Sequence, residues 1–148
     1  VDPTTVDLPT LDDTRELARR LLQRAPGGSL LVLSGPLGAG KTTLTRFLAE
    51  ALGSDADVTS PSYTLVHEYP TPQGVLVHID AYRLPDAAAL EQLGLDETLD
   101  RARLVVVEWG TGLLAHHPDA LWLDLERHGE ARRATLRDAS GHPLGWDP

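Results

Sequence analysis

The sequence predicts an α/β layered domain built on a largely parallel central sheet, with an antiparallel hairpin or edge. Two short uninterrupted apolar runs, Ser29–Ser34 (SLLVLS) and Arg103–Glu108 (RLVVVE), have the make-up of strands buried on both faces. Strand-like segments alternate with segments of helical period along the chain, the order from which parallel sheets are assembled. The 148 residues suffice for a single domain with a real core, and 41% hydrophobic with 24% charged residues is an ordinary globular composition.

Residues 1–9 are expected to be a flexible lead-in, and no reading is built on residues 1–7 of a chain that starts at Val1. Thr10 and Asp13 resemble a capping box, with aspartate where Glu or Gln is usual. Leu17, Ala18, Leu21 and Leu22 then form a helical stripe, which Pro26-Gly27-Gly28 stops. After the SLLVLS strand and a glycine-rich loop, Leu44, Phe47, Leu48 and Ala51 or Leu52 recur at helical spacing, with Gly53 suited to the C′ position. Residues 54–63 read as a loop. Thr64–Tyr69 and Gly74–Asp80 read as a hairpin around Pro70-Thr71-Pro72-Gln73. Pro85 opens a helix carrying Leu90 and Leu93 and ending near Gly94, followed by Asp96–Asp100 as a solvated helix face. RLVVVE, Ala120–Leu125 and Ala134–Arg137 are the remaining strands, the last expected at an edge, and residues 139–148 form a tail.

Chemistry concentrates in Gly35-Pro36-Leu37-Gly38-Ala39-Gly40-Lys41-Thr42, a G-x-x-x-x-G-K-[ST] loop between a strand and a helix. Lys41 is the only lysine beside twelve arginines, and it stands where a compact ammonium suits the geometry better than a planar fork. By average usage such a pattern arises by accident in about half a percent of chains this long. Glycines at 35, 38 and 40 let successive N–H groups face phosphate oxygens, and the helix start adds unpaired N–H groups and its dipole. Gly38, Ala39, Gly40, Lys41, Thr42 and Thr43 are therefore candidate nucleotide contacts, with Lys41 at the β- and γ-phosphates and the Thr42 hydroxyl on Mg²⁺. This context makes the expected fold a three-layer one of the P-loop NTPase type. Asp80 and Glu108 end apolar strands, where carboxylates face the ligand crevice of an α/β sheet; both are candidates for the metal and water cluster. An Asn-Lys-x-Asp guanine loop has no lysine left to build it. A small-molecule kinase remains the alternative.

A formal charge of −9 argues against a chain that grips nucleic acid alone, so a nucleic-acid role is expected to run through a partner. With no cysteine there is no disulfide frame or thiolate chemistry, and no apolar run reaches bilayer length; a cytoplasmic location is expected. His67 and His78 lie on strands without metal-ligand spacing and read as structural. His116-His117 reads as exposed, Tyr63 and Tyr82 as buried aromatics with a polar tip, Arg83 equally as contact or surface arginine, and Trp122 and Trp146 as core and tail anchors.

Taken together, the blocks GPLGAGKTT (Gly35–Thr43), TSPSYTLV (Thr59–Val66), HIDAYRL (His78–Leu84), EQLGL (Glu91–Leu95), VEW (Val107–Trp109) and EAR (Glu130–Arg132) resemble the TsaE (YjeE) family of bacterial ATPases over about residues 10–133. Two departures are visible. The family's Ser-Pro-Thr is Ser60-Pro61-Ser62 here, and Gly110 follows Trp109 where proline is frequent. The resemblance implies a slow, partner-stimulated ATPase subunit needed to make N6-threonylcarbamoyladenosine at position 37 of tRNAs reading ANN codons. It implies a heterodimer of TsaB and TsaD as partner, with tRNA reached through that complex, and ATP and Mg²⁺ as cofactors. By the same resemblance, Lys41 and Thr42 serve the phosphates and Mg²⁺, and Asp80 and Glu108 the metal and water. Ser60–Ser62 forms a switch-like loop, with Ser62 toward the γ-phosphate. Trp109 packs near the nucleotide or partner, and Arg132 closes over the base with the segment around Thr14.

Overall fold

Strands that are apolar on both faces find partners only inside a sheet, and here they occupy the centre of one with seven strands. A computed structural model describes residues 5–36, 39–54, 66–81, 87–92 and 94–145. In chain order the elements are β1 (Thr5–Leu8), α1 (Leu11–Arg24), β2 (Ser29–Ser34), α2 (Lys41–Ala51), β3 (Val66–Thr71), β4 (Gly74–Asp80), α3 (Ala87–Gln92), α4 (Leu95–Arg101), β5 (Ala102–Glu108), a 3-10 turn at Thr111–Leu113, β6 (Leu121–His128) and β7 (Ala131–Asp138). The sheet order is β1-β7-β6-β2-β5-β4-β3. β2 pairs in parallel with both β5 and β6, and β4 in parallel with β5. The β3–β4 hairpin, β6–β7 and β7–β1 are antiparallel. The parallel centre and antiparallel flanks are those expected from the sequence.

Alternation along each strand divides the core into two layers. Leu31 and Leu33 of β2 with Leu76, Leu104 and Val106 pack under α1 and α2, meeting Leu17, Leu21, Leu44 and Leu48. Leu30 and Val32 with Val77, Val105 and Val107 face the other way, toward Leu90, Leu95 and Leu113. Each such side chain contributes about 1.5–3 kcal/mol on removal from water. Helix ends are finished by specific groups. Thr10 accepts from the Asp13 N–H while the Asp13 carboxylate accepts from the Thr10 N–H, so the capping box forms. The Arg103 guanidinium donates to the carbonyls of Ala25 and Leu22 and closes the other end of α1. At the end of α2, Gly53 N–H reaches Glu50 O and Ser54 N–H reaches Ala49 O, the paired bonds of a Schellman motif.

Three expectations are corrected. Residues 5–8 lie in the segment expected to be flexible, yet they form β1, paired with β7 from Thr5↔Thr135 to Leu8↔Arg132. β7 is consequently flanked on both sides, and β1 is the edge. His117 is half-buried, with Nε2 2.7 Å from Glu91 Oε1, tying the loop after the 3-10 turn to α3; His116 is exposed as expected. The tail folds back as far as it is described, with Leu144 N–H bonded to Leu136 O and Pro143 bridging Arg137. Leu93 and Trp146 lie outside the described residues.

Thr10→Ala removes the side-chain half of the α1 capping box and leaves the Asp13 bond to the residue-10 N–H. A loss of about 1 kcal/mol is expected, read as a melting temperature about 2–4 °C lower.

Candidate functional site

The parallel strands β2, β4 and β5 end on one rim of the sheet, and the loops leaving that rim build a cleft of about 740 Å³. Gly35 leaves β2 at φ +136°, and a Cβ there would overlap the Leu125 carbonyl oxygen, so only glycine turns the chain at this point. Gly40 precedes α2 at φ +100° without a side-chain cap, which leaves the first-turn N–H groups of α2 to whatever enters the cleft. Ala39, Gly40, Lys41, Thr42 and Thr43 all line it. Gly38 lies outside the described residues.

Lys41 is 5% exposed, and its Nζ donates to Gly35 O at 2.7 Å. The ammonium also sits 4.2 Å from the centre of the Trp109 ring, a cation–π contact. Burial pulls its pKa below the ordinary lysine value, while the charges of Glu108 and Asp80 pull upward. The loop's ammonium is thus held on a backbone carbonyl beside two carboxylates.

Those carboxylates are register partners. Asp80 ends β4 directly opposite Glu108 at the end of β5, and the ladder continues with Ala81 N–H to Glu108 O at 2.9 Å. Both line the cleft. A hydroxyl from Thr42 with two carboxylates is an oxygen-only donor set of the kind Mg²⁺ takes. Beyond Glu108 the backbone enters the left-handed region at Trp109, φ +64°, a conformation that costs a non-glycine residue about 1–3 kcal/mol. This turn carries the indole out of the sheet and over Lys41, where it is 45% exposed. A Cβ at Gly110 would overlap Val107, so the departure from proline matches the space available.

The far wall joins β7 to the start of α1. Arg132 lies beside Leu8 in the β1–β7 register, and its side chain passes next to Gly40. Thr14, Arg132, Leu11, Leu125 and Glu130 line the cleft. The structure therefore gathers Thr14, Lys41, Thr42, Thr43, Asp80, Glu108, Trp109 and Arg132 around one cavity. Ser60–Ser62, Tyr63, Tyr82 and Arg83 lie outside the described residues.

The sequence reads His78 as structural, and the structure adds a contact. It is fully buried, and its Nε2 lies 2.6 Å from Glu108 Oε2, so it touches a site residue. Its place two residues before Asp80 on the same strand was the available signal, since both side chains then share a face. Leu8, in the segment expected to be a lead-in, and Leu125, at the end of an expected strand, also line the cleft, as does Leu11 in the segment around Thr14.

Comparison with known proteins agrees with this geometry. Residues 8–135 match the family described as Threonylcarbamoyl adenosine biosynthesis protein TsaE. The chain is 42% identical to the tRNA threonylcarbamoyladenosine biosynthesis protein TsaE of Mycobacterium tuberculosis, over 88% of this chain and 84% of the relative. Against the protein of that name from Bacillus subtilis the identity is 36%, over 88% and 82%. The crystal structure of YdiB from Bacillus subtilis superposes with a TM-score of 0.68 at 31% identity, covering 89% of this chain and 82% of that one. Sequence, sheet and cleft lead to one conclusion: the chain belongs to the TsaE family of tRNA threonylcarbamoyladenosine biosynthesis proteins.

Proposed function

We propose that this chain is the ATP-binding and slowly hydrolysing subunit of the threonylcarbamoyladenosine machinery, working with TsaB and TsaD and meeting tRNA through them. The observation that carries the reading is the convergence of Lys41, Asp80 and Glu108 on one cleft at the C-terminal rim of parallel strands. Lys41 holds the β- and γ-phosphates after exchanging Gly35 O for phosphate oxygens, and the open N–H groups before and within the first turn of α2 cradle the rest. Thr42, Asp80 and Glu108 would hold Mg²⁺, which would supply neutralisation of the developing phosphate charge. Glu108 orients the attacking water and accepts its proton. The base lies between the α1 start, at Leu11 and Thr14, and Arg132.

A site that works by positioning and charge is slow until its loops are ordered, so a partner surface sets the rate. The charge of −9 fits a subunit that leaves most of the tRNA contact to its partners. Among the described residues no helix is long and apolar enough to cross a membrane.

ATP hydrolysis by the chain alone is expected to be weak and to rise strongly on adding the cognate TsaB–TsaD pair. Lys41→Ala should abolish both binding and turnover, whereas Glu108→Ala should keep ATP and lose about 10²–10⁴-fold in rate. Phosphate transfer to a small acceptor, without stimulation by the pair, would place the kinase reading first. Nucleotide binding should also draw Lys41 from beneath Trp109 and change the indole emission. The change should vanish in Trp109→Phe, although Trp122 and Trp146 remain.

A further inference from the structure

Among the described residues His78 is a buried titratable side chain that touches a cleft residue, Glu108, and has no part in the proposed function. It is wholly enclosed, on the sheet face that packs Leu76, Leu104 and Val106 under the helices. An apolar residue would satisfy that face without the cost of burying an imidazole. Among the described residues the hydrogen bond of its side chain runs from Nε2 to Glu108 Oε2, at 2.6 Å, and Nδ1 is buried without a partner. The register explains the contact. Asp80 stands opposite Glu108 and His78 opposite Val106, so the imidazole reaches diagonally from β4 to the carboxylate on β5. Because a carboxylate oxygen only accepts, the proton of this bond sits on Nε2.

We propose that His78 is a positioning residue for Glu108. Its Nε2–H fixes Oε2 and leaves Oε1 as the oxygen that meets the reacting water in the cleft. A glutamate at a strand end otherwise turns about three side-chain bonds, and only some of its rotamers point the carboxylate at the γ-phosphate. The bond to His78 selects one of them before nucleotide arrives. Asp80, shorter by one methylene, has fewer rotamers to select among. The inference rests on Glu108 acting on the attacking water.

The test compares wild type, Lys41→Ala, His78→Leu and His78→Gln in the assembled complex, with ATP affinity and thermal unfolding measured for each chain. Gln carries an amide nitrogen near the position of Nε2 and restores the donor; Leu fills the space without one. His78→Leu should lose about 10- to 100-fold in turnover with ATP affinity unchanged within about threefold, and His78→Gln should recover most of that loss. Stability should not follow turnover: His78→Leu, which fills the apolar space, should be at least as stable as His78→Gln, so the recovery in His78→Gln does not come from restored folding, which a merely structural histidine would require. Equal turnover in wild type and His78→Leu, or no recovery in His78→Gln at full ATP affinity, overturns the proposal. Wild-type turnover that is absent, or that survives Lys41→Ala, overturns the ATPase reading instead. The positioning bond is then judged by nitrogen-15 NMR of the His78 ring: a proton on Nε2 that shifts in Glu108→Ala supports it, and an unprotonated Nε2 overturns it.

Discussion

The parallel pairing of β2 with β5 governs everything above it. Both strands are buried on both faces, so neither can slip by one residue without turning leucine and valine side chains into the wrong layer. With the register locked, the chain emerging from β2 and the carboxylate ending β5 reach the same rim, at Gly35 and Glu108. β4 is locked to β5 in the same way and delivers Asp80 beside Glu108. The cleft is thus a product of sheet register; its loops add detail to positions already set.

The charges on that rim are arranged to be used rather than to stabilise. A nearly buried ammonium beside two carboxylates is costly to assemble, since burial itself works against the charged lysine. Its present partners, a carbonyl and an aromatic face, are weaker than phosphate. Trp109 contributes by standing in an unfavourable backbone conformation that persists only because the surroundings over-determine it. The site holds its cation in a state that a polyanion improves.

The elements that the sequence predicts correctly are those with local causes. SLLVLS and RLVVVE read as buried strands because every residue reports the same environment, and the glycine loop reads as the turn from strand to helix because its geometry is encoded within eight residues. The Thr10–Asp13 cap is equally local and forms as expected. What failed to show was non-local. TVDL has only weak alternation and becomes a strand through a partner at residues 132–135. The contact of His78 depends on a residue on the next strand, and the place of Leu8 in the cleft wall on the register of β1 with β7. The family blocks pointed to Trp109 but said nothing of its left-handed backbone.

The sheet order also has a consequence for how the protein is made. The phosphate loop is translated early, yet β2 beside it has no hydrogen-bonding neighbour until β5 and β6, residues 102–108 and 121–128, have left the ribosome. The outer edge waits longer still, because β1, the first strand made, is held by β7, the last. Most of the chain must therefore exist before its oldest segments find their places. Such a topology folds slowly and exposes an apolar strand to the chaperone pool throughout synthesis. The cleft does not exist until these strands have been made, so whatever binds it stabilises only the folded sheet.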